Sequence, residues 1–174
     1  MHRIPVRQIM QSNVITIRPE ELVADAAQVM EEFNIRRLPV VDEDNCVVGI
    51  VTDSDVREAE AADGVRSAYE PGVELEWLTV GDIMTREVIT IGPDATLGEL
   101  ASVFMRHKVG GVPVVEPDPH KPKRQRLIGI VTETDIFAMI VNAWQKDRLS
   151  NQATNEKALH PNAQDKAERA NRPE

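Results

Sequence analysis

The feature that most constrains the fold of this chain is an internal repeat. Three pairs of segments match in order, the first two at an offset of 74 residues and the last at an offset of 80: Val6–Met10 with Val80–Met84, Leu38–Asp42 with Val112–Glu116, and Gly49–Asp55 with Gly129–Asp135. The last pair reads Gly-Ile-Val-Thr-x-x-Asp in both copies. Matches spread over a whole unit predict two copies of one supersecondary structure that bury a continuous core together.

The residue pattern of each copy predicts the order strand, helix, strand, strand, helix. The β-branched runs Val14–Ile17 and Val88–Ile91 are typical of buried strands. Apolar residues then recur at helical spacing: Leu22, Ala26, Val29, Met30 and Phe33, and Leu97, Leu100, Ala101 and Phe104. Two hairpins and two further helices complete the copies: Leu38–Val41 with Cys46–Val51, Val112–Val115 with Leu127–Val131, and about Ser54–Ser67 and Thr134–Leu149.

One copy alone is too small to bury both faces of its sheet. We therefore expect an α/β (α+β) fold in which two β-α-β-β-α motifs pack sheet against sheet with pseudo-two-fold symmetry. Hydrophobic residues make up 41% of the chain and aromatic residues only 3%, so the predicted core is aliphatic.

The repeat also divides the chain. Residues 1–68 form the first motif, residues 69–149 form a linker and the second motif, and residues 150–174 form a polar tail predicted to be disordered or a frayed helix. The connection between the copies, about residues 63–79, is rich in Gly, Pro and Glu.

Charge and cysteine content argue against several classes of protein. The formal net charge of -9 opposes nucleic-acid binding, which needs a basic face. Cys46 is the only cysteine, so no intrachain disulfide can form. No apolar run approaches the ~20 residues that span a bilayer, and the N-terminus lacks an apolar signal core. We expect a cytoplasmic protein without a membrane association.

The repeated motifs resemble the CBS domain, and the tandem resembles the paired CBS unit called a Bateman module. The resemblance covers about residues 5–146 and rests on Ile-Met, Val-Ile-Thr-Ile, Leu-Pro-Val-Val-Asp and Gly-Ile-Val-Thr-x-x-Asp. It implies clefts that bind adenosine-containing ligands, namely AMP, ADP, ATP or S-adenosylmethionine, as regulatory signals. It also implies a homodimer. Because the sequence shows no catalytic or transport domain, we expect the effector to be a separate protein.

Two sets of ligand-binding residues are predicted, most of them from the resemblance, with Arg37, Ser54 and Thr134 added because their side chains can donate to a phosphate. The first site comprises Thr16, Ile17, Arg37, Leu38, Pro39, Thr52, Ser54 and Asp55. The second site comprises Thr90, Ile91, Val112, Pro113, Thr132, Thr134 and Asp135. Within these sites the family's ribose-binding aspartate matches Asp55 and Asp135, and its phosphate-binding hydroxyl residue matches Thr52 and Thr132.

The chemistry of the Thr-x-x-Asp segment agrees with that assignment. Thr52, Ser54 and Asp55 lie where a predicted strand passes into a helix, whose unpaired amides favour anions. A carboxylate accepts both hydrogen bonds of a cis-diol. The alternative is a helix cap made by the threonine, with the aspartate in the first turn. Capping and ligand binding can coexist.

The two sites are not equivalent. The first copy carries Arg36 and Arg37 before its Leu-Pro-Val-Val run, where the second carries Gly110 and Gly111. One of the arginines can pair with ligand phosphates, or both can form a solvated surface pair. The glycines favour a tight backbone turn over close approach to a ligand.

Other features favour structural roles over catalysis. The four histidines lack metal-ligand spacing, no phosphate-binding loop is present, and Cys46 is interpreted as a core residue. We therefore predict neither an enzyme nor a metal site. Trp77 and Trp144 are interpreted as core or dimer-contact residues, and the helix face around Ala138, Ile140 and Val141 as a dimer contact.

A basic cluster on the second hairpin leaves two interpretations open. Lys121, Lys123, Arg124 and Arg126 are predicted to form a solvated, disorder-prone loop tip. The functional alternative is a surface for an acidic partner, for nucleic acid or for nucleotide phosphates. A nucleic-acid-binding regulator and a dimerisation module with vestigial clefts thus remain the alternatives to nucleotide sensing.

Overall fold

The computed structural model describes residues 3–69 and 77–159; for residues 62–69 and 150–159 only the backbone is described. The described helices and strands follow in the order α1 Val23–Glu32, β1 Arg37–Val41, β2 Val47–Thr52, α2 Asp53–Tyr69, α3 Val80–Ile83, α4 Leu97–His107, β3 Gly111–Pro117, β4 Gln125–Thr132 and α5 Glu133–Leu159. The chain divides into two units, Met1–Glu133 and Thr134–Glu174.

Each copy contains the predicted antiparallel hairpin. β1 pairs with β2 and β3 pairs with β4, each with one register shift. The first hairpin turns at Asp42–Asn45, where the Asp42 side chain accepts hydrogen bonds from the amides of Asp44 (3.0 Å) and Cys46 (3.1 Å). Asn45 adopts the left-handed conformation with φ 59°, which asparagine tolerates better than most residues.

The predicted strands Val14–Ile17 and Val88–Ile91 are wrong, because each is reduced to a single parallel bridge, Ile17 to Val40 and Ile91 to Val114. Ile17 donates to the Pro39 carbonyl (3.2 Å) and accepts from the Val41 amide (3.0 Å). Extending this ladder needs amide donors at positions 39 and 19, and both are proline.

The second copy has the same limit on its parallel ladder. Its prolines lie at positions 113 and 93, which are the equivalent donor positions. Proline at these positions thus limits each parallel ladder to a single bridge.

Each copy begins with a short segment, Pro5–Gln11 or Thr79–Thr85, that pairs with the other copy and completes it. Pro5 bridges to Thr96 and Gln11 to Ile130, so the N-terminal segment pairs with the second copy. In the reciprocal pairs, Leu22 bridges to Thr79 and Ile50 to Thr85, so the segment after the linker pairs with the first copy. The matched pairs give the Met1–Glu133 unit its internal pseudo-two-fold symmetry.

This exchange explains the glycine of the repeated Gly-Ile-Val-Thr. The side chain of Met84 lies over Gly49, where an added Cβ would overlap the sulfur and come within 2.9 Å of Cγ. Met10 covers Gly129 in the same way, with its sulfur 2.7 Å from the position of an added Cβ. Glycine is present because a methionine from the exchanged segment occupies the space above it.

The core is aliphatic, as predicted. Fully buried residues of the first unit include Val6, Val23, Leu38, Val40, Val51, Val80, Leu100, Val114 and Val131. Phe104 is buried as well, whereas Phe33 at the end of α1 is 50% exposed and does not join the core. Trp77 is 77% exposed, so its interpretation as a core residue is wrong.

The helices that follow the hairpins extend beyond their predicted bounds. α2 continues to Tyr69, and α5 continues to Leu159 through part of the predicted tail. The rest of that tail, 160–174, and residues 70–76 of the predicted linker lie outside the described residues. Within the described chain, no helix combines the length and the apolar character that crossing a membrane requires.

Candidate functional site

The junction of β2 and α2 places three residues of the first site. Both the amide and the hydroxyl of Thr52 donate to Asp55 Oδ2, each at 2.7 Å, and the Asp55 amide donates back to Thr52 Oγ1 at 3.3 Å. These bonds are those of a helix cap. Both bonds to the carboxylate use Oδ2, so the cap does not use Oδ1. Ser54 is exposed in the first turn of α2.

The same cap recurs where no ligand site is predicted. The amide and hydroxyl of Thr79 donate to Asp82 Oδ2 at 3.0 and 2.6 Å. Those of Thr96 donate to Glu99 Oε2 at 2.7 and 2.8 Å. The capping interpretation of Thr52 and Asp55 is therefore confirmed, and any ligand role is an addition to it.

In the first site, a backbone hydrogen bond joins the segment Thr16–Ile17 to the segment Leu38–Pro39. The Ile17 amide binds the carbonyl of Pro39 at 3.2 Å. The side chains of Ile17 and Leu38 are only 3% and 0% exposed. They belong to the core, so in this conformation a ligand can meet these residues only through their backbone. Thr16 is half-buried beside them.

The residues of the second site that belong to the Met1–Glu133 unit are arranged in the same way. The Ile91 amide donates to the Pro113 carbonyl at 3.1 Å, and Val112 and Pro113 are buried like their counterparts. The Thr90 hydroxyl donates to Gln125 Oε1 at 2.9 Å, a bond supplied by the longer second hairpin. Thr132 ends β4.

Two residues of the second site belong to the other structural unit. Thr134 and Asp135 follow Glu133 in the first turn of α5.

Arg37 makes the main difference between the copies. Its guanidinium lies over the backbone of the second copy, where a Cβ on Gly111 would overlap Nη1 and a Cβ on Gly110 would lie 3.2 Å from Nη2. Neither glycine has a positive φ, and Gly110 lies in a bend directly before β3. Both glycines also give room to the arginine. Arg36, by contrast, is exposed.

The Arg37 guanidinium is poorly satisfied. Its Nη1 is buried and has no hydrogen-bond partner among the described residues. Burial lowers the pKa of Arg37, while the carboxylates of Glu133 and Asp53 act in the opposite direction. A buried guanidinium nitrogen without a partner is costly, which favours an anion at this position. The interpretation of Arg36 and Arg37 as a solvated pair is therefore wrong for Arg37.

Three of the four residues of the basic cluster on the second hairpin pair with carboxylates of this chain. Asp44 Oδ2 accepts from Lys121 Nζ at 2.7 Å and from Arg124 Nη1 at 2.6 Å, and Arg124 also pairs with Asp42. Arg126 pairs with Glu116 at 2.5 Å. These three residues thus find their acidic partners in the first hairpin and the neighbouring strand, whereas Lys123 is exposed, as expected for a solvated loop tip.

Asp118 holds this second hairpin in shape, and sequence reasoning missed it. It is 8% exposed, and its Oδ1 accepts from the amides of His120 (2.8 Å) and Lys121 (2.7 Å). The His120 amide, followed by that of Lys121, holds the pKa of Asp118 below its usual value. Its flanking prolines, at positions 117 and 119, were the available sign of an ordered turn.

Cys46 is 1% exposed, and its pKa is raised by burial and by Asp118 and Asp44. These surroundings disfavour a thiolate nucleophile and fit the core role predicted for it. In the described part of the chain, no group of three or more His, Cys, Asp or Glu residues is arranged to hold a metal ion.

Comparison with known proteins settles the family. The CBS domain family model matches residues 6–62 and 80–142. This chain is a tandem CBS domain protein. A CBS domain-containing protein of Dictyostelium discoideum is 31% identical over 80% of this chain and 92% of its own length. Homoserine O-acetyltransferase of Methanococcoides burtonii is 36% identical over 78% of this chain. The chain spans only about a quarter of that enzyme, at 24% of its length.

A solved CBS domain pair has the same fold. The pair of protein MJ0100, in complex with 5-methylthioadenosine and S-adenosyl-L-methionine, is 31% identical to this CBS tandem. Its TM-score is 0.64, and the match covers 80% of this chain and 97% of that one. The predicted membership of the CBS family and the predicted α+β fold class are confirmed.

Proposed function

We propose that this CBS tandem is a regulatory module that binds adenosine-containing nucleotides and signals to a separate effector. The supporting observation is the Thr52–Asp55 junction at the end of β2, whose sequence is repeated in the second copy. The ligand classes proposed are AMP, ADP, ATP and S-adenosylmethionine. A relative of this chain, the MJ0100 pair, was solved with two adenosine-containing ligands.

The proposed contacts follow from the polar groups at the first site. Asp55 Oδ1 accepts from the ribose hydroxyls, while Oδ2 keeps the cap. The backbone at Thr16, Ile17 and Pro39 contacts the adenine. Thr52 and the amides at the start of α2 face the phosphate or other polar end of the ligand.

The decisive experiment separates ligand binding from capping. Removing the Asp55 carboxylate deletes charged hydrogen bonds worth about 1.5–3 kcal/mol, so Asp55→Ala should weaken binding at the first site roughly ten- to hundredfold. Asp135→Ala should do the same at the second site. Isothermal titration calorimetry with AMP, ATP and S-adenosylmethionine measures both effects.

Asp82→Ala is the matched control. Asp82 accepts the same two bonds from Thr79 that Asp55 accepts from Thr52, but it belongs to neither site. Asp82→Ala should lower stability as a cap variant does and leave ligand affinity unchanged. If Asp55→Ala and Asp135→Ala both bind every ligand like wild type, the proposed sites are rejected.

The proposed form of the module is a cytoplasmic, non-catalytic homodimer. The described part of α5 exposes apolar side chains at helical spacing: Phe137 62%, Ile140 43%, Val141 47% and Trp144 55%. This stripe overlaps the face predicted from Ala138, Ile140 and Val141. Sedimentation analysis should show a dimer that Ile140→Asp dissociates, and a wild-type monomer would contradict the assignment.

The alternatives lose their support in different ways. Nucleic-acid binding depended on the basic hairpin, and Lys121, Arg124 and Arg126 already pair with carboxylates of this chain. A dimerisation module with vestigial clefts predicts no thermal shift with any of the four nucleotides. The unsatisfied Arg37 favours a functional cleft over a vestigial one.

A further inference from the structure

Arg37 lies where the pseudo-two-fold symmetry brings the two copies together. At the repeat offset of 74 residues, the counterpart of Arg37 is Gly111, and the Arg37 guanidinium rests on that glycine. A residue at a two-fold axis meets its own counterpart. Arginine at both positions would bring two like charges together. The chain instead places a single cation there.

The surroundings of this cation come from both copies. Asp53 and Glu133 are counterparts at the offset of 80 residues, and both act electrostatically on Arg37. Their amides make equivalent bonds, Asp53 to the Arg36 carbonyl (3.0 Å) and Glu133 to the Gly110 carbonyl (3.1 Å). The buried Nη1 of Arg37 has no hydrogen-bond partner among the described residues. The backbone of Arg37 thus lies in the first site, and its guanidinium lies beside the second.

We propose that Arg37 is a cation shared by the two sites, so that the first phosphate-bearing adenosine ligand to bind weakens the binding of the second. This rests on the proposed function. The Arg37 backbone pairs with Thr52 of the first site, and its guanidinium lies on Gly111, next to Val112 of the second. Once one phosphate has taken the guanidinium, a phosphate at the other site meets carboxylates without a compensating cation.

The first test isolates each site. Asp55→Ala leaves the second site intact, and Asp135→Ala leaves the first. In both backgrounds AMP should bind ten- to hundredfold more tightly than adenosine, since only AMP carries a phosphate. Adding Arg37→Gln should sharply reduce this preference in both, leaving only the part that Thr52 or Thr132 and the helix amides supply. Arg36→Gln, an exposed neighbour, is the control and should leave it unchanged.

The second test measures coupling in the otherwise intact chain. Adenosine should fill two independent sites. AMP should fill one site at high affinity and the other at least roughly tenfold more weakly, because only one phosphate can take the charged bond. Arg37→Gln should make the two AMP affinities equal. Two independent AMP sites of equal affinity in wild type would overturn the proposal.

Gly111→Ala gives an independent perturbation, because its Cβ would displace the guanidinium from the second copy. The phosphate preference should then fall as sharply as with Arg37→Gln in the Asp55→Ala background and persist in the Asp135→Ala background. If Arg37→Gln affects one site only, or neither, the shared cation is rejected while the proposed function stands. If wild type binds S-adenosylmethionine but not AMP, the shared cation is rejected and the proposed function stands. If it binds none of AMP, ADP, ATP and S-adenosylmethionine, both proposals are rejected.

Discussion

Replacing Gly49 with alanine tests whether the exchanged methionine is the reason for glycine in the repeated motif. An added Cβ would overlap Met84 Sδ and lie 2.9 Å from Cγ and 3.3 Å from Cβ. The methionine cannot move away easily. It is only 8% exposed, and Thr85 beside it exchanges two hydrogen bonds of 2.9 Å with Ile50.

The size of the effect follows from overpacking in a close-packed core. Forcing a methyl group into such a site costs about 1–3 kcal/mol, so Gly49→Ala should lower the free energy of unfolding by that amount. Gly92→Ala is the control, because nothing lies within 4 Å of its added Cβ. Its stability should equal or exceed that of wild type by up to about 1 kcal/mol, since alanine restricts the unfolded chain.

Urea unfolding followed by circular dichroism measures both variants, and a double-mutant cycle isolates the cause. Met84→Ala alone should cost about 2–5 kcal/mol through lost burial. The double variant Gly49→Ala/Met84→Ala should be about as stable as Met84→Ala, because the overlap is gone. Equal stability of Gly49→Ala and Gly92→Ala, or additivity of the cycle within about 0.5 kcal/mol, would refute the reasoning.

Two further predictions concern the second hairpin. The pKa of Asp118 is depressed in the folded chain, so its stabilisation is present above its unfolded pKa of about 3.9 and is lost as the pH falls through the folded pKa. Asp118→Asn should therefore lower the Tm at pH 7 and approach wild type at acid pH; a constant difference would contradict this. Asp44→Ala should lower the Tm by an amount that shrinks in high salt, whereas the exposed neighbour Glu43→Ala should not, and a salt-independent loss would exclude the ion pairs as its cause.

The repeat determined most of what could be predicted from sequence. It located both hairpins, the helices and the aliphatic core, because alternation and helical spacing report burial directly. It failed at Val14–Ile17, where β-branched composition predicted a strand. The prolines that prevent pairing, Pro19 and Pro39, act through ladder partners whose register the sequence does not reveal.

The candidate sites show a similar division. The Thr52–Asp55 cap was predictable because its bonds join neighbours in sequence. The position of Arg37 was not, since its contact with Gly111 depends on where the symmetry axis passes. Likewise, the pairing of Lys121 with Asp44 joins residues far apart in sequence, and the charge pattern of either hairpin alone does not name its partner.

The exchange of completing segments fixes an order of events during synthesis. Residues 4–11 are made before the first hairpin, yet their partners Thr96 and Ile130 are made much later. The first copy, in contrast, receives Thr79–Thr85 soon after its own hairpin. The first copy can therefore fold on the nascent chain before the second copy exists. Val6, which is buried in the finished protein, has no packing partner until the second copy is made. A cut between residues 68 and 69 would separate each half from the segment that completes it.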